Sequence, residues 1–415
     1  MKRAVLVCEL YPRDRASGQE KYNNDVAQAL RASGYRIDLI VTSPRRDLLP
    51  ARVPDRNDLW QSTTLIHFRA TAAGLIPRSM ASSLRLAKGL MRRIVPAIVL
   101  GRGAANGGAK TGVARIGRWL GARERTQVRQ AIARRSPDLV LFDTIFRDPG
   151  PVAEPDYPRV LIMHDIFHLR SRSFRDNGFM PVPDISPDEE IARWSRFDGL
   201  IAINAEEAAR ARTLLGERPV RTLYPMVEPA SAPPVSLRAR PPGIMFLGAN
   251  GAHNQDALAW FVRECWPAIL DAVPTCTLHV VGSVTAPEHA SGRIVLHGHL
   301  DDLAAVARTC TLAINPVRMG SGLKIKMLDY LRHGLPVVTS SIGAEGYPGD
   351  PPRPFIVVDP ADDFIRSIVT LLSNAEEARA LASLIDDYLT IFSPDTARDV
   401  LGRLIADVTN SRCPT

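Results

Sequence analysis

Apolar residues along this chain fall into short unbroken runs, with amphipathic stretches between them. Arg3–Cys8, Arg36–Thr42, Leu65–Ala70, Asp138–Asp143, Arg159–His164 and Gly199–Ile203 predict one set of strands. Gly243–Gly248, Thr277–Val281, Ile294–Leu296, Leu312–Ile314 and Val337–Ser340 predict a second. Most of these runs do not alternate apolar with polar, which is the pattern of strands covered on both faces in a parallel sheet. Helical stretches lie between them: Glu20 to a stop at Gly34, Glu189–Phe197, Ala205–Leu215, a stretch with Trp260, Phe261 and Trp266 as core anchors, and Lys324–His333. Two more are expected between Pro360 and Tyr388, and Ser393–Val408 reads as a capped last helix. This strand–helix–strand grammar predicts an α/β fold of doubly wound domains. It starts twice, and the Pro/Ala-rich MVEPASAPPVSLRARPP separates the two starts. The expected organisation is a first domain over 1–225 with an insertion at 78–135, a linker at 226–242, a second domain over 243–392 and a terminal helix over 393–415.

At 415 residues, 45% hydrophobic and 23% charged, the chain is long enough for two such domains. No apolar run reaches the roughly 18 residues that cross a bilayer. The apolar stretch before Glu9 is too short for a signal peptide, so a cytoplasmic location is expected. The cysteines are scattered, odd in number and without a C-x-x-C pair, which suggests buried small hydrophobes rather than a disulfide framework or a zinc site. The net charge of +8 is unevenly placed: Arg78 to Arg135 holds fourteen Lys/Arg against Glu124 alone, a segment of +13 that leaves −5 for the remainder. Within it, Leu84, Leu90, Met91, Ile94 and Val95 oppose Arg85, Lys88, Arg92 and Arg93, an amphipathic basic helix that Pro96 should end. A solvated insertion and docking on an anionic membrane surface both fit, the latter at about 1 kcal/mol per basic residue. Nucleic acid fits less well, because Trp119 is the segment's one aromatic platform.

The densest chemistry lies in INPVRMGSGLKIKMLDYLRHGLPVVTSSIGAEG, Ile314 to Gly346. A strand feeds a Gly/Ser loop, then a helix, a Gly-Leu-Pro stop and a second strand. Gly320 and Gly322 leave the backbone open to a ligand, and the first amides of the helix have no partner within it, so an anion fits there. Lys324 and Lys326, expected in the first helical turn, oppose the helix dipole; with Arg318 they suit a diphosphate. Asp329, deeper in the helix, is placed to accept from sugar or ribose hydroxyls. An ordinary strand-to-helix turn with two solvated lysines also fits these residues. His164 and Asp143 end strands, where open sheets bind ligands, and His164 suits either a sugar or phosphate contact or a structural cap. Gly18 opens the first helix and suits close approach of a phosphate, or simply turns the chain. His297 and His299 hint at a metal pair, weakly, without cysteines nearby.

The segment resembles the donor-site block of the retaining GT-B glycosyltransferases of the group-one (family 4) superfamily. The positions that carry the likeness are Pro316, Arg318, Gly320, Gly322, Lys324, Lys326, Leu328, Asp329, Tyr330, Gly334, Pro336, Val337, Val338, Ser340, Gly343, Glu345 and Gly346. Asn254, Asp256, Ala257, Trp260 and Phe261 match a second family loop, with His253 where a proline would stand. The chain departs from the pattern in three further ways: Asp329 replaces the helix glutamate, Ser321 falls where the first acid of the E-x7-E pair would be, and the Arg/Lys pair that many relatives carry after Gly248 is missing. The resemblance implies two Rossmann-like domains facing each other across a cleft, and sugar transfer with retention from a nucleotide-diphosphate donor to a glycan or lipid-linked acceptor, without metal or cofactor. It implies His164, Lys324 and Asp329 as catalytic residues. Gly18, Gly248, Gly298, Arg318, Gly320, Ser321, Gly322, Lys326 and Glu345 would bind the donor. Surface-polysaccharide synthesis at the inner face of the plasma membrane is the expected setting. A nucleotide-sugar epimerase of the same fold and a non-catalytic nucleotide-sugar-binding protein are the alternatives.

Overall fold

All-parallel pairing is what two-sided apolar runs require, and both main sheets have it. The structure, a computed structural model, describes residues 1–12, 18–45, 59–71, 74–78, 113–151, 155–176, 178–227, 242–285, 293–320 and 322–412. Ser321, most of the linker and the amphipathic basic helix around Leu84–Pro96 lie outside them. The chain forms two units. The first comprises Met1–Ala202, Ala208–Leu223 and Arg398–Thr415; the second comprises Ile203–Glu207 and Tyr224–Ala397.

The first unit holds β1 (Lys2–Cys8), β2 (Tyr35–Val41), β3 (Ser62–Leu65), β4 (Leu139–Asp143), β5 (Arg159–Met163), β6 (Gly199–Ala202) and β7 (Val220–Thr222). They lie side by side in the order β7-β6-β5-β4-β1-β2-β3. β1 pairs β2 from Lys2↔Tyr35 to Cys8↔Val41 and β4 from Ala4↔Leu139 to Val7↔Phe142. Val5, Val7, Val140, Phe142 and Leu161 of the central strands are buried with Trp194 and Phe197. The run expected as one strand, Leu65–Ala70, is broken: β3 stops at Leu65, and Phe68–Thr71 pairs instead with Gly74–Pro77 in a small antiparallel hairpin. The bend leaves the His67 carbonyl to take the amide of Arg78. The last helix, Pro394–Asn410, returns to this unit from Arg398 onward. A Cβ on Gly199 would lie 2.6 Å from Val408 Cγ1, so the glycine is what lets that helix sit against β6.

The second unit holds β8 (Gly243–Leu247), β9 (Thr277–Val281), β10 (Ile294–Gly298), β11 (Leu312–Asn315), β12 (Val337–Thr339) and β13 (Phe355–Val357), in the order β10-β9-β8-β11-β12-β13. Counted from its own first strand this is 3-2-1-4-5-6, and the first unit runs the same way with one strand added. That is the order of dinucleotide-binding sheets, whose ligands lie beyond the carboxyl ends at the point where the order reverses. The expected helix Lys324–His333 starts two residues later, at Lys326, and ends at Arg332. Lys324 belongs to the preceding turn: its carbonyl takes the Met327 amide, three residues on, and the Tyr347 hydroxyl at 3.0 Å. The stretch Pro360–Tyr388 holds three helices rather than two, since the Asn374 side chain caps a new one at Ala375. Cys8, Cys265, Cys276 and Cys310 are free and buried. No helix among the described residues is long and apolar enough to cross a membrane.

Candidate active site

In the second unit the order reverses between β8 and β11, so the segments leaving their carboxyl ends flank one point. β8 leads through Gly248 into the helix Ala252–Glu264; β11 leads through the glycine loop into the helix Lys326–Arg332. The strand ends pack backbone to backbone: a Cβ on Gly282, whose φ is +108°, would lie 2.2 Å from the Gly248 carbonyl oxygen. The Gly282 amide donates to the Gly298 carbonyl at 2.7 Å, which joins the ends of β9 and β10. Gly320 has φ +105° and open space where a side chain would be.

Two lysines meet at this point. Lys326 Nζ donates to Asn254 Oδ1 at 2.7 Å and stands 5.0 Å from the centre of the Phe246 ring. Asn254 is buried and fixed in turn by donating to the Ala249 carbonyl at 3.0 Å. Burial, with Lys324 close by, pushes the Lys326 ammonium down to about 7. Lys324 Nζ donates to the Gly322 carbonyl at 2.6 Å and lies 3.6 Å from Glu345. Arg318 is clamped by both oxygens of Asp256, at 3.1 and 2.7 Å, with its guanidinium 5.6 Å from the Trp260 ring. Asp329 is half-buried in the first turn of its helix. Glu345 lines a cavity of about 450 Å³ together with Glu206, Tyr224, Tyr347 and Arg353.

In the first unit, Asp143 is buried at the end of β4 and His164 lies one residue beyond β5. His164 Nε2 stands 2.5 Å from Asp143 Oδ1, with the ring N–H off the line between them, and Gln19 donates to Asp143 Oδ2 at 2.9 Å. Burial alone would raise the Asp143 carboxyl; His164, Gln19 and Asn23 outweigh it and hold the group below its usual range. The Tyr22 ring meets His164 edge-on at 5.3 Å. Gly18 is the exposed first residue of the helix Gly18–Ala32.

Several partners were not read from the sequence. Asn254 and Asp256 were visible as loop residues, but not as the holders of Lys326 and Arg318, which lie far along the chain. A second charged group in the first unit was missed entirely. There Glu124 takes bonds from Arg118, from the Gly121 amide and from His67, and is held down to about 2 despite its burial. His297 pairs with His279 at 3.0 Å rather than with His299, and no metal-binding group of three ligands occurs among the described residues.

Solved structures share this fold. Sucrose-phosphate synthase from Thermosynechococcus elongatus superposes with a TM-score of 0.65 at 14% identity over 99% of this chain and 100% of that one. S. aureus TarM, solved with fondaparinux, α-GlcNAc-glycerol and UDP, gives 0.66 at 10% identity over 98% and 100%. Both are glycosyltransferases of the GT-B fold, and this chain has that fold. Residues 241–374, within the second unit, match the family described as Glycosyl transferases group 1. An uncharacterized 44.6 kDa protein in the cps region of Klebsiella pneumoniae is 22% identical over 142 residues, 31% of this chain; the match spans 37% of that protein's length.

Proposed function

We propose that the protein moves a sugar from a nucleotide-diphosphate donor to a glycan or lipid-linked acceptor, with retention, in the synthesis of a cell-surface polysaccharide. The observation that carries this reading is the lysine pair beside the glycine loop at the switch point of a group 1 domain. Lys324, Lys326 and the loop amides at Gly320 and Gly322 meet the charge that develops on the departing diphosphate, the electrostatic part of the catalysis. Arg318 shares its charge with Asp256, so the lysines bear most of this load. Asp329 and Glu345 hold hydroxyls, Gly248 and Gly298 admit the nucleoside against backbone, Gly18 admits a phosphate, and His164 orients the sugar. The cps-region relative favours a polysaccharide product, and the UDP bound to TarM favours a uridine donor. The basic segment 78–135 would hold the protein to an anionic membrane surface on the cytoplasmic side.

Thermal stability with UDP, GDP and ADP in turn tests the donor site. A nucleotide at about 100 times its Kd stabilises by roughly 2.7 kcal/mol. One nucleotide should raise the midpoint of the wild type and not of Lys324→Ala. If none does, the loop is structural and the transferase reading loses its support.

A further inference from the structure

We propose that Asp143 is a positioning residue for His164: its carboxylate fixes the tautomer with hydrogen on Nε2 and leaves Nδ1 as the nitrogen that meets substrate. The inference rests on the reading above that His164 works on the donor sugar. At the 2.5 Å that separates Nε2 from Oδ1 a bare ring nitrogen would be repelled by the carboxylate oxygen, so Nε2 carries the hydrogen, although its N–H lies off the line between them. The carboxylate cannot swing away, because it is buried at a strand end and its other oxygen is held by Gln19 at 2.9 Å. The ring cannot easily turn over either. Tyr22 packs edge-on against it, and the Tyr22 hydroxyl is itself pinned on the Leu223 carbonyl at 2.5 Å. Among the described residues Nδ1 has no hydrogen-bond partner, which leaves it for a ligand. A neutral ring in this tautomer takes a hydrogen bond at Nδ1 and gives none there, so the group it recognises is a hydroxyl.

Nitrogen NMR of histidine-labelled protein across a pH series reads the tautomer directly from the signals of the neutral ring. The His164 signal is assigned by its loss in His164→Gln. Hydrogen on Nε2 in the wild type is expected; hydrogen on Nδ1 overturns the proposal with no need of an aspartate variant. In Asp143→Asn the tautomer should become mixed or inverted, with kcat of sugar transfer falling about 10- to 100-fold and the donor KM little changed, as for other groups that orient a histidine through its far nitrogen. An unchanged tautomer in that variant overturns the proposal even if activity falls. Full transfer by His164→Gln would instead strike the role of His164, whatever tautomer the wild type shows.

Discussion

The two sheets share a strand order and differ in what stands at their carboxyl ends. In the first unit, charges there are answered mostly by other side chains: Asp143 by His164 and Gln19, Glu124 by Arg118 and His67, and the fully buried Arg147 by Thr42 and Glu9, with the Arg118 backbone carbonyl beside them. In the second unit the junction is made of glycine and backbone. Its two lysines have an amide oxygen, a carbonyl, an aromatic face and one carboxylate at 3.6 Å. Their departures from ordinary titration run opposite ways: the first unit holds Glu124 firmly ionised, while the second pushes the Lys326 ammonium toward neutrality. The first unit sets carboxylates against cations, and the second sets two cations side by side, with Glu345 3.6 Å from one of them.

Breaking the backbone junction of the second unit should cost most. Gly282→Ala forces a Cβ against the Gly248 carbonyl and places a side chain at φ +108°. Overpacking and left-handed strain together predict a loss of roughly 3–5 kcal/mol. Gly298→Ala, also at positive φ but facing open space, should lose only about 1 kcal/mol. Denaturant unfolding of the pair checks this, and equal losses would mean that the junction is not built on backbone contact.

A smaller effect is expected from breaking the side-chain end of the first unit. Glu124→Gln keeps the shape and removes the charge that Arg118 and His67 answer, for an expected loss of about 2 kcal/mol at neutral pH. Because the folded carboxyl lies below its ordinary 4.5, at about 2, the ionised form stabilises the fold above 4.5 and that stability is lost as pH falls toward 2. The difference between wild type and variant should therefore shrink on acidification. A difference that stays constant with pH would point to packing rather than charge.

How much of this the sequence discloses follows from what kind of signal each part leaves. Buried parallel strands are local apolar runs, so Arg3–Cys8 and Thr277–Val281 announce themselves, and two such series with a Pro-rich interval give two doubly wound units. The glycine loop is legible for a similar reason, since its glycines and lysines are contiguous. Partners brought together by the sheets are not. Asn254 meets Lys326 from 72 residues away, and His67 meets Glu124 from 57, with no periodicity to join them. Asp143 and His164 were each visible as strand ends, but their contact depends on β4 and β5 being neighbours in register, with Asp143 opposite Ile162. The start of the helix was misplaced because Lys324 and Ile325 suit a helix by composition, while the Tyr347 hydroxyl takes the Lys324 carbonyl into a turn.

The finest test of the contrast is a proton. A lysine whose folded value is near 7 rather than its ordinary 10.5 binds fewer protons folded than unfolded between those limits. Its charging costs stability in full below 7, and that cost is relieved as pH rises through the window. A diphosphate beside Lys326 reverses the balance, because an adjacent anion favours the ammonium. Within the window, UDP binding should therefore take up close to one proton, and affinity should weaken as pH rises. Calorimetry of UDP binding in two buffers with different ionisation heats measures that uptake. Lys326→Arg, charged at every pH used, should bind without it. Uptake that persists in the arginine variant would place the titrating group elsewhere, and no uptake in the wild type would mean that the second unit's strand ends are already as well answered as those of the first.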